Sequence, residues 1–186
     1  MSMRNLCLAG AASLLLAGAA LASFSFAAGA AEESPNLGKP ATPEEIAAYD
    51  IDVEPDGSGL PPGSGTAKQG EAVYAKECQA CHGEKGEKGA TLALRGGEGT
   101  IGKEEVKPLR TIGSYWPYAT SVFAYVRRSM PFYNSKSLSN DELYQVTAYL
   151  LYINKIIGEE EVMNRQSLAK VQMPNRAGFR PFQRGD

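Results

Sequence analysis

The chain has 186 residues, with 19 basic against 21 acidic side chains and an ordinary hydrophobic fraction. That length allows one domain with extensions, and no basic run points to nucleic acid. Glycine- and proline-containing stretches on both sides of the centre make it loop-rich, so a large core is hard to build from the chain alone.

In chain order, a single positive residue, Arg4, precedes an uncharged Leu/Ala-rich run from Asn5 to Ala31. Ala28-Gly29-Ala30 fits an A-x-A cleavage site, and residues 1–30 read as a secretory signal peptide. The competing reading is an uncleaved anchor, since the run is long enough to span a bilayer. Cys7 lies at the start of the run after Leu6, which does not fit a lipoprotein cysteine. Cleavage leaves 18 basic residues against 21 acidic, no membrane span, and only Cys78 and Cys81 of the three cysteines. No disulfide framework is then available in an oxidising compartment.

Residues 31–65 read as a linker-like N-terminal segment, punctuated by Pro and Gly. One short helix is expected there, with Thr42 as cap, Pro43 at its first position, and an end near Asp50. Thr66 and Gln69 form a capping box for a helix over about Ala67 to Gln79. Gly70, Val73 and Tyr74 share one face of it, with Gly70 open to a close helix approach and Tyr74 read as core. Residues 83–114 read as a glycine-rich loop. A second helix is expected over about Pro117 to Ser129. The last has its capping box at Ser139 and Glu142 and an apolar stripe of Leu143, Val146, Leu150 and Ile153, and Gly158 stops it. Residues 159–186 are polar, with little sign of independent structure.

Between the first helix and the loop stands Cys78-Gln79-Ala80-Cys81-His82, which is C-x-x-C-H, the attachment pattern for haem c. Two thiols three positions apart can reach both vinyl groups of one haem, and the next residue delivers an imidazole to the iron. A zinc site needs four ligands, more than the mature chain's two cysteines and single histidine supply. A thioredoxin-type pair belongs to a βαβ setting that the sequence does not show.

The second iron ligand follows from inventory. His82 is the one histidine, so bis-histidine ligation within the chain is excluded, and both cysteines are consumed as thioethers. Methionine remains. Met163 lies in a charged stretch, and Met173 precedes a proline in the tail. Met130 sits between two predicted helices, where Pro131 ends the first of them, and it is the expected ligand. The bland alternative is a methionine that fills core space. His/Met ligation raises the reduction potential relative to two nitrogen ligands and leaves no open iron position, which suits electron transfer.

The order of helix, C-x-x-C-H, loops, Met-Pro and amphipathic last helix resembles class I cytochromes c over about residues 66–158. The resemblance implies an all-α cytochrome fold, with first and last helices crossing near Gly70 and Tyr149, and loop-rich extensions at 31–65 and 159–186. "LGKPATPEEIAAYDIDVEPDGSGLPPGSGTAKQG", "TIGSYWPYATSVFAYVRRSMPF" and "MPNRAGF" are similar to the cytochrome c subunits of periplasmic sulfane dehydrogenases and the related sulfite dehydrogenases. That likeness implies a molybdenum-containing catalytic subunit as partner, from which the cytochrome receives electrons, and a downstream acceptor such as a cytochrome c or an oxidase. It also carries the iron ligands to His82 and Met130 and the thioether cysteines to Cys78 and Cys81. Some members have a second haem domain, whereas this sequence has one C-x-x-C-H, which implies one haem. Trp116, Tyr118 and Arg127 are candidates for contacting haem propionates or the partner, and equally read as ordinary packing for the aromatics and a solvated face for the arginine. The alternatives are a free periplasmic carrier serving an oxidase, and a haem enzyme with an open or unusual iron, which the residue inventory disfavours.

Overall fold

The computed structural model describes residues 38–87 and 89–179. The expected signal peptide, 1–30, lies outside the described residues. The chain divides into Met1–Thr42 and Pro43–Asp186, and the architecture below is that of the second unit.

Helix α1 spans Pro43–Tyr49, β1 Ser64–Gly65, α2 Ala67–Glu77, α3 Gln79–His82, α4 Ala119–Ser129, α5 Asn140–Ile153, β2 Met163–Asn164 and α6 Arg165–Leu168. Local chemistry sets two of these starts as the sequence predicts. The Thr66 hydroxyl accepts from the Gln69 N–H, and the Gln69 side chain accepts from the Thr66 N–H at 2.9 Å. Ser139 and Glu142 do the same for α5, with the Ser139 N–H donating to Glu142 at 2.8 Å. Each such cap satisfies helix-end N–H groups and contributes about 1 kcal/mol.

The core forms where α2 crosses α5. Gly70 and Gly65 both face α5: a Cβ on Gly70 would overlap the Gln145 carbonyl oxygen and stand 2.9 Å from the Tyr149 Cβ. The two helices therefore meet backbone to backbone, as the Gly70–Tyr149 crossing predicted. Tyr74 and Tyr149 stack beside that crossing with ring centroids 5.0 Å apart. On the other side of α5, Phe123 of α4 meets Tyr144 at 4.7 Å, and both are fully buried. The last helix ends earlier than expected. Asn154, not Gly158, is its cap, because the Asn154 amide turns back to bond the Leu150 carbonyl at 2.8 Å.

The flanking segments differ most from the sequence reading. Residues 163–173 are part of the core, since Met163, Leu168, Val171 and Met173 are all buried. β2 pairs antiparallel with β1, Gly65 opposite Met163. On the N-terminal side, residues 51–65 lie along α4 and α5 rather than forming a free linker. Tyr144 donates its hydroxyl to the Pro61 carbonyl at 2.8 Å, Ser64 N–H donates to Asp141 at 2.8 Å, and Leu60 is buried. Scattered apolar residues in a polar background give no periodicity to read. Their burial appears only once β1 and β2 pair. Helix α1, by contrast, buries none of its seven residues. No helix among the described residues is long and apolar enough to cross a membrane.

Candidate haem site

The C-x-x-C-H residues occupy their own helical turn. Cys78 ends α2 and opens α3, and its carbonyl accepts from both the Cys81 N–H (3.1 Å) and the His82 N–H (3.0 Å). Cys78 and Cys81 are thereby i and i+3 on one face. The turn stops at Gly83, whose φ of 83° is in the left-handed region. Gly89 then passes so close beneath it that a Cβ would overlap the Cys81 carbonyl oxygen. Burial, with Glu77 and Cys81 adding to it, pushes the Cys78 thiol up to about 11. That direction is opposite to the lowered thiol of a redox C-x-x-C.

The imidazole of His82 is held in one tautomer. Its Nδ1 is 3.0 Å from the Leu92 carbonyl oxygen and 3.1 Å from the Thr91 hydroxyl. The Leu92 carbonyl can only accept, and the Thr91 hydroxyl donates to the Cys81 carbonyl at 3.0 Å. Nδ1 therefore carries the proton, and the lone pair is on Nε2, the form a metal binds.

Cys78, Cys81, His82 and Met130 all line one cavity of about 560 Å³. That is within the size of sites that hold a large organic ligand. Its helical wall comes from Val122 and Val126 of α4 and Val146 and Leu150 of α5. Its loop wall comes from residues 91–94 and 110–112 with Trp116. Met130 is the C-cap of α4, fixed by its N–H to the Val126 carbonyl at 3.0 Å. Met163 and Met173 do not line the cavity. They are buried elsewhere in the core. Among the described residues no group of three or more His, Cys, Asp or Glu is placed to hold a metal ion by itself. An apolar cavity with two thiols on one turn, an imidazole presenting Nε2 and a thioether in the same wall fits haem c. Bound there, haem would supply a one-electron couple, and the residues' part would be to attach it, ligate it and keep water from it.

Of the three side chains singled out beyond the motif, only Trp116 lines the cavity, edge-on to Tyr125 at 5.6 Å. Arg127 points away and donates to the Ile51 and Gly59 carbonyls at 3.4 and 3.5 Å. Tyr118 carries the Arg176 guanidinium on its ring. Two residues are more than the sequence reading made of them. Tyr74 is core, as expected, but its hydroxyl also donates to the Gly83 carbonyl at 2.8 Å, tying α2 to the end of the motif. Burial raises its ionisation. Asn154 accepts from the Gly113 N–H at 3.1 Å and donates to the Leu94 carbonyl at 3.1 Å, fastening both strands of the loop wall to α5. A helix-end asparagine carries no sequence signal for such a role.

The family model described as cytochrome c oxidase, cbb3-type, subunit III, matches residues 65–150. Among solved structures, a chain in the crystal structure of the sulfane dehydrogenase SoxCD from Paracoccus pantotrophus matches with 43% identity and a TM-score of 0.73. The match covers 80% of this chain and 73% of that one. No curated protein sequence matches significantly. Fold, site and likeness agree: the chain belongs to the cytochrome c family and has the class I fold, and it is an electron-transfer cytochrome. Within that family it resembles the cytochrome c subunit of sulfane or sulfite dehydrogenase. Residues 66–158 are half of the chain, so a match over 80% extends into the flanking segments.

Proposed function

We propose that this chain is the exported, one-haem electron-transfer subunit of a periplasmic sulfane or sulfite dehydrogenase, with residues 66–158 as its haem domain. Cys78 and Cys81 form the thioethers, and His82 and Met130 ligate the iron. A molybdenum-containing catalytic subunit oxidises the sulfur compound and hands electrons to the haem, which passes them to a second cytochrome or an oxidase. The observation that carries this reading is the cavity shared by His82, Met130 and both cysteines, in a chain 43% identical to one in the SoxCD structure. Export rests on the Leu/Ala run and the Ala28-Gly29-Ala30 site.

Helix α1 supports a lasting partner. It has seven residues and buries none, and Ile46 and Tyr49, three apart on one face, are 54% and 78% exposed. The Tyr49 ring carries Lys136 at 4.9 Å. A helix this short does not hold by itself in water. Its apolar pair is placed for the catalytic subunit, which would cover it and add contact area that a transient carrier lacks.

The test is co-expression with the molybdenum-containing catalytic subunit of a sulfane or sulfite dehydrogenase, followed by co-purification and sulfite- or thiosulfate-dependent haem reduction. Removing residues 38–50 should weaken assembly while leaving the haem spectrum unchanged, because the core contacts begin after Asp50. Full-length protein that never associates, or a truncated form that associates equally well, would favour the free carrier.

A further inference from the structure

The segment that follows α6 returns to the cavity wall from outside. Met173 is buried, and its carbonyl accepts from the Arg176 N–H at 3.1 Å, which opens a turn. The Asn175 amide donates to the Tyr115 carbonyl at 2.7 Å. Phe179 meets the Tyr115 ring edge-on at 5.2 Å, and the Arg176 guanidinium lies 4.6 Å from the Tyr118 ring centre. Gly178 completes the turn, and a Cβ there would overlap the Asn175 side chain. Tyr115 in turn carries Arg110 at 5.4 Å. Between Tyr115 and Tyr118 stands Trp116, which lines the cavity together with Arg110, the one Lys or Arg in its lining among the described residues.

We propose that residues 173–179 are a positioning strap for this wall. By holding Tyr115 and Tyr118 from outside, they set Trp116 and Arg110 against the haem. The inference rests on the haem reading of the cavity. The strap touches neither cysteine nor either proposed iron ligand, so it acts through solvent access and local charge. Both act in one direction. Oxidised haem carries one more positive charge than reduced haem, so admitting water favours the oxidised form. Withdrawing a guanidinium from the wall also favours it, and loosening the strap lowers the potential.

The experiment uses the holoprotein with Asn175→Ala, Phe179→Ala and the two combined. Covalent haem and the His/Met spectrum, recorded first, check the haem reading separately. In the double variant the redox equilibrium should shift about tenfold toward the oxidised form, about 59 mV for one electron, with smaller shifts in the singles. Phe179→Tyr, which keeps the ring edge, should restore the native value, a rescue that loss of overall stability does not predict. A native potential in the double variant, or an equal shift in Phe179→Tyr and Phe179→Ala, overturns the strap. If the double variant does not mature, the single variants decide on the same readings. A wild-type chain that takes up no covalent haem overturns the haem reading and the strap with it.

Discussion

The two walls of the cavity are held in different ways. The α4–α5 wall repeats its contacts. Val122 and Val126 lie four apart, as do Val146 and Leu150, and each sits among other buried apolar residues. The opposite wall has no regular helix or strand among the described residues from Gly83 to Tyr118. It is fastened by single polar side chains. Asn154 bonds Leu94 and Gly113, the Thr111 hydroxyl donates to the Gly96 carbonyl at 2.6 Å, and the Ser114 hydroxyl donates to the Leu109 carbonyl at 2.6 Å. Stability of the first wall is spread over many dispersion contacts, each small. In the second it is concentrated in a few hydrogen bonds, whose loss strands buried partners. A small domain can thus enclose a large flat ligand with helices on one side and pinned loop on the other.

The largest effect is expected where the helical wall ends. Met130→Ala should keep covalent haem but free one iron position. Added imidazole or cyanide should then bind the oxidised form, and the potential should fall. Spectroscopic titration against wild type reads this directly. Ligand binding opened by Met173→Ala, with Met130→Ala silent, would falsify the assignment.

In the loop wall, Asn154→Ala should cost about 2 kcal/mol, because the buried Gly113 N–H loses its partner and the Leu94 carbonyl keeps only the Ile112 N–H at 3.2 Å. Denaturant unfolding of the holoprotein measures it. Hydrogen exchange should accelerate in residues 94–113 more than in α5. An equal acceleration of both would show that the two walls are not separately held.

Tyr74→Phe removes one hydrogen bond, to the Gly83 carbonyl, and keeps the ring packing against Tyr149. A loss of about 1 kcal/mol is expected, seen in the same unfolding curves with an unchanged haem spectrum.

The smallest effect has the opposite sign. The Thr147 hydroxyl on α5 is buried without a hydrogen-bond partner among the described residues. Thr147→Val keeps the shape and removes that unmet group, so the helical side should gain up to about 1 kcal/mol. A destabilised variant would mean that the hydroxyl has a partner, such as a water, that matters.

Much of the helical side was legible in the sequence. The capping boxes at Thr66/Gln69 and Ser139/Glu142 need residues only three apart, and the apolar stripe of α5 repeats with the helix period. C-x-x-C-H is contiguous, and a chain with one histidine leaves methionine as the remaining sulfur donor. Which methionine is near the motif was not a matter of count: the fold brings Met130, the expected ligand, into the cavity wall and buries Met163 and Met173 elsewhere in the core. The loop wall was legible only as loop. Nothing local distinguishes Asn154 from any asparagine at a helix end, since its partners lie 41 and 60 residues earlier in the chain.

The flanking segments mark the same boundary. Residues 51–65 and 163–173 read as polar linker and tail because their apolar residues are too sparse for either period. They become core because β1 and β2 pair and because Tyr144, Asp141 and Arg127 on α4 and α5 offer matching donors and acceptors. Arg127 was open to a haem or partner role from its neighbours in sequence, yet its guanidinium is taken by the Ile51 and Gly59 carbonyls. The sequence by itself determined helices α1, α2, α4 and α5, the capping boxes that start α2 and α5, the C-x-x-C-H motif and the inventory of candidate iron ligands, because each depends on residues within a few positions or on a count. Tertiary structure alone decided the depth of the core, the pinning of the loop wall and the fate of both extensions. Those depend on which backbone donors and acceptors far apart in the chain end up buried together and must find one another.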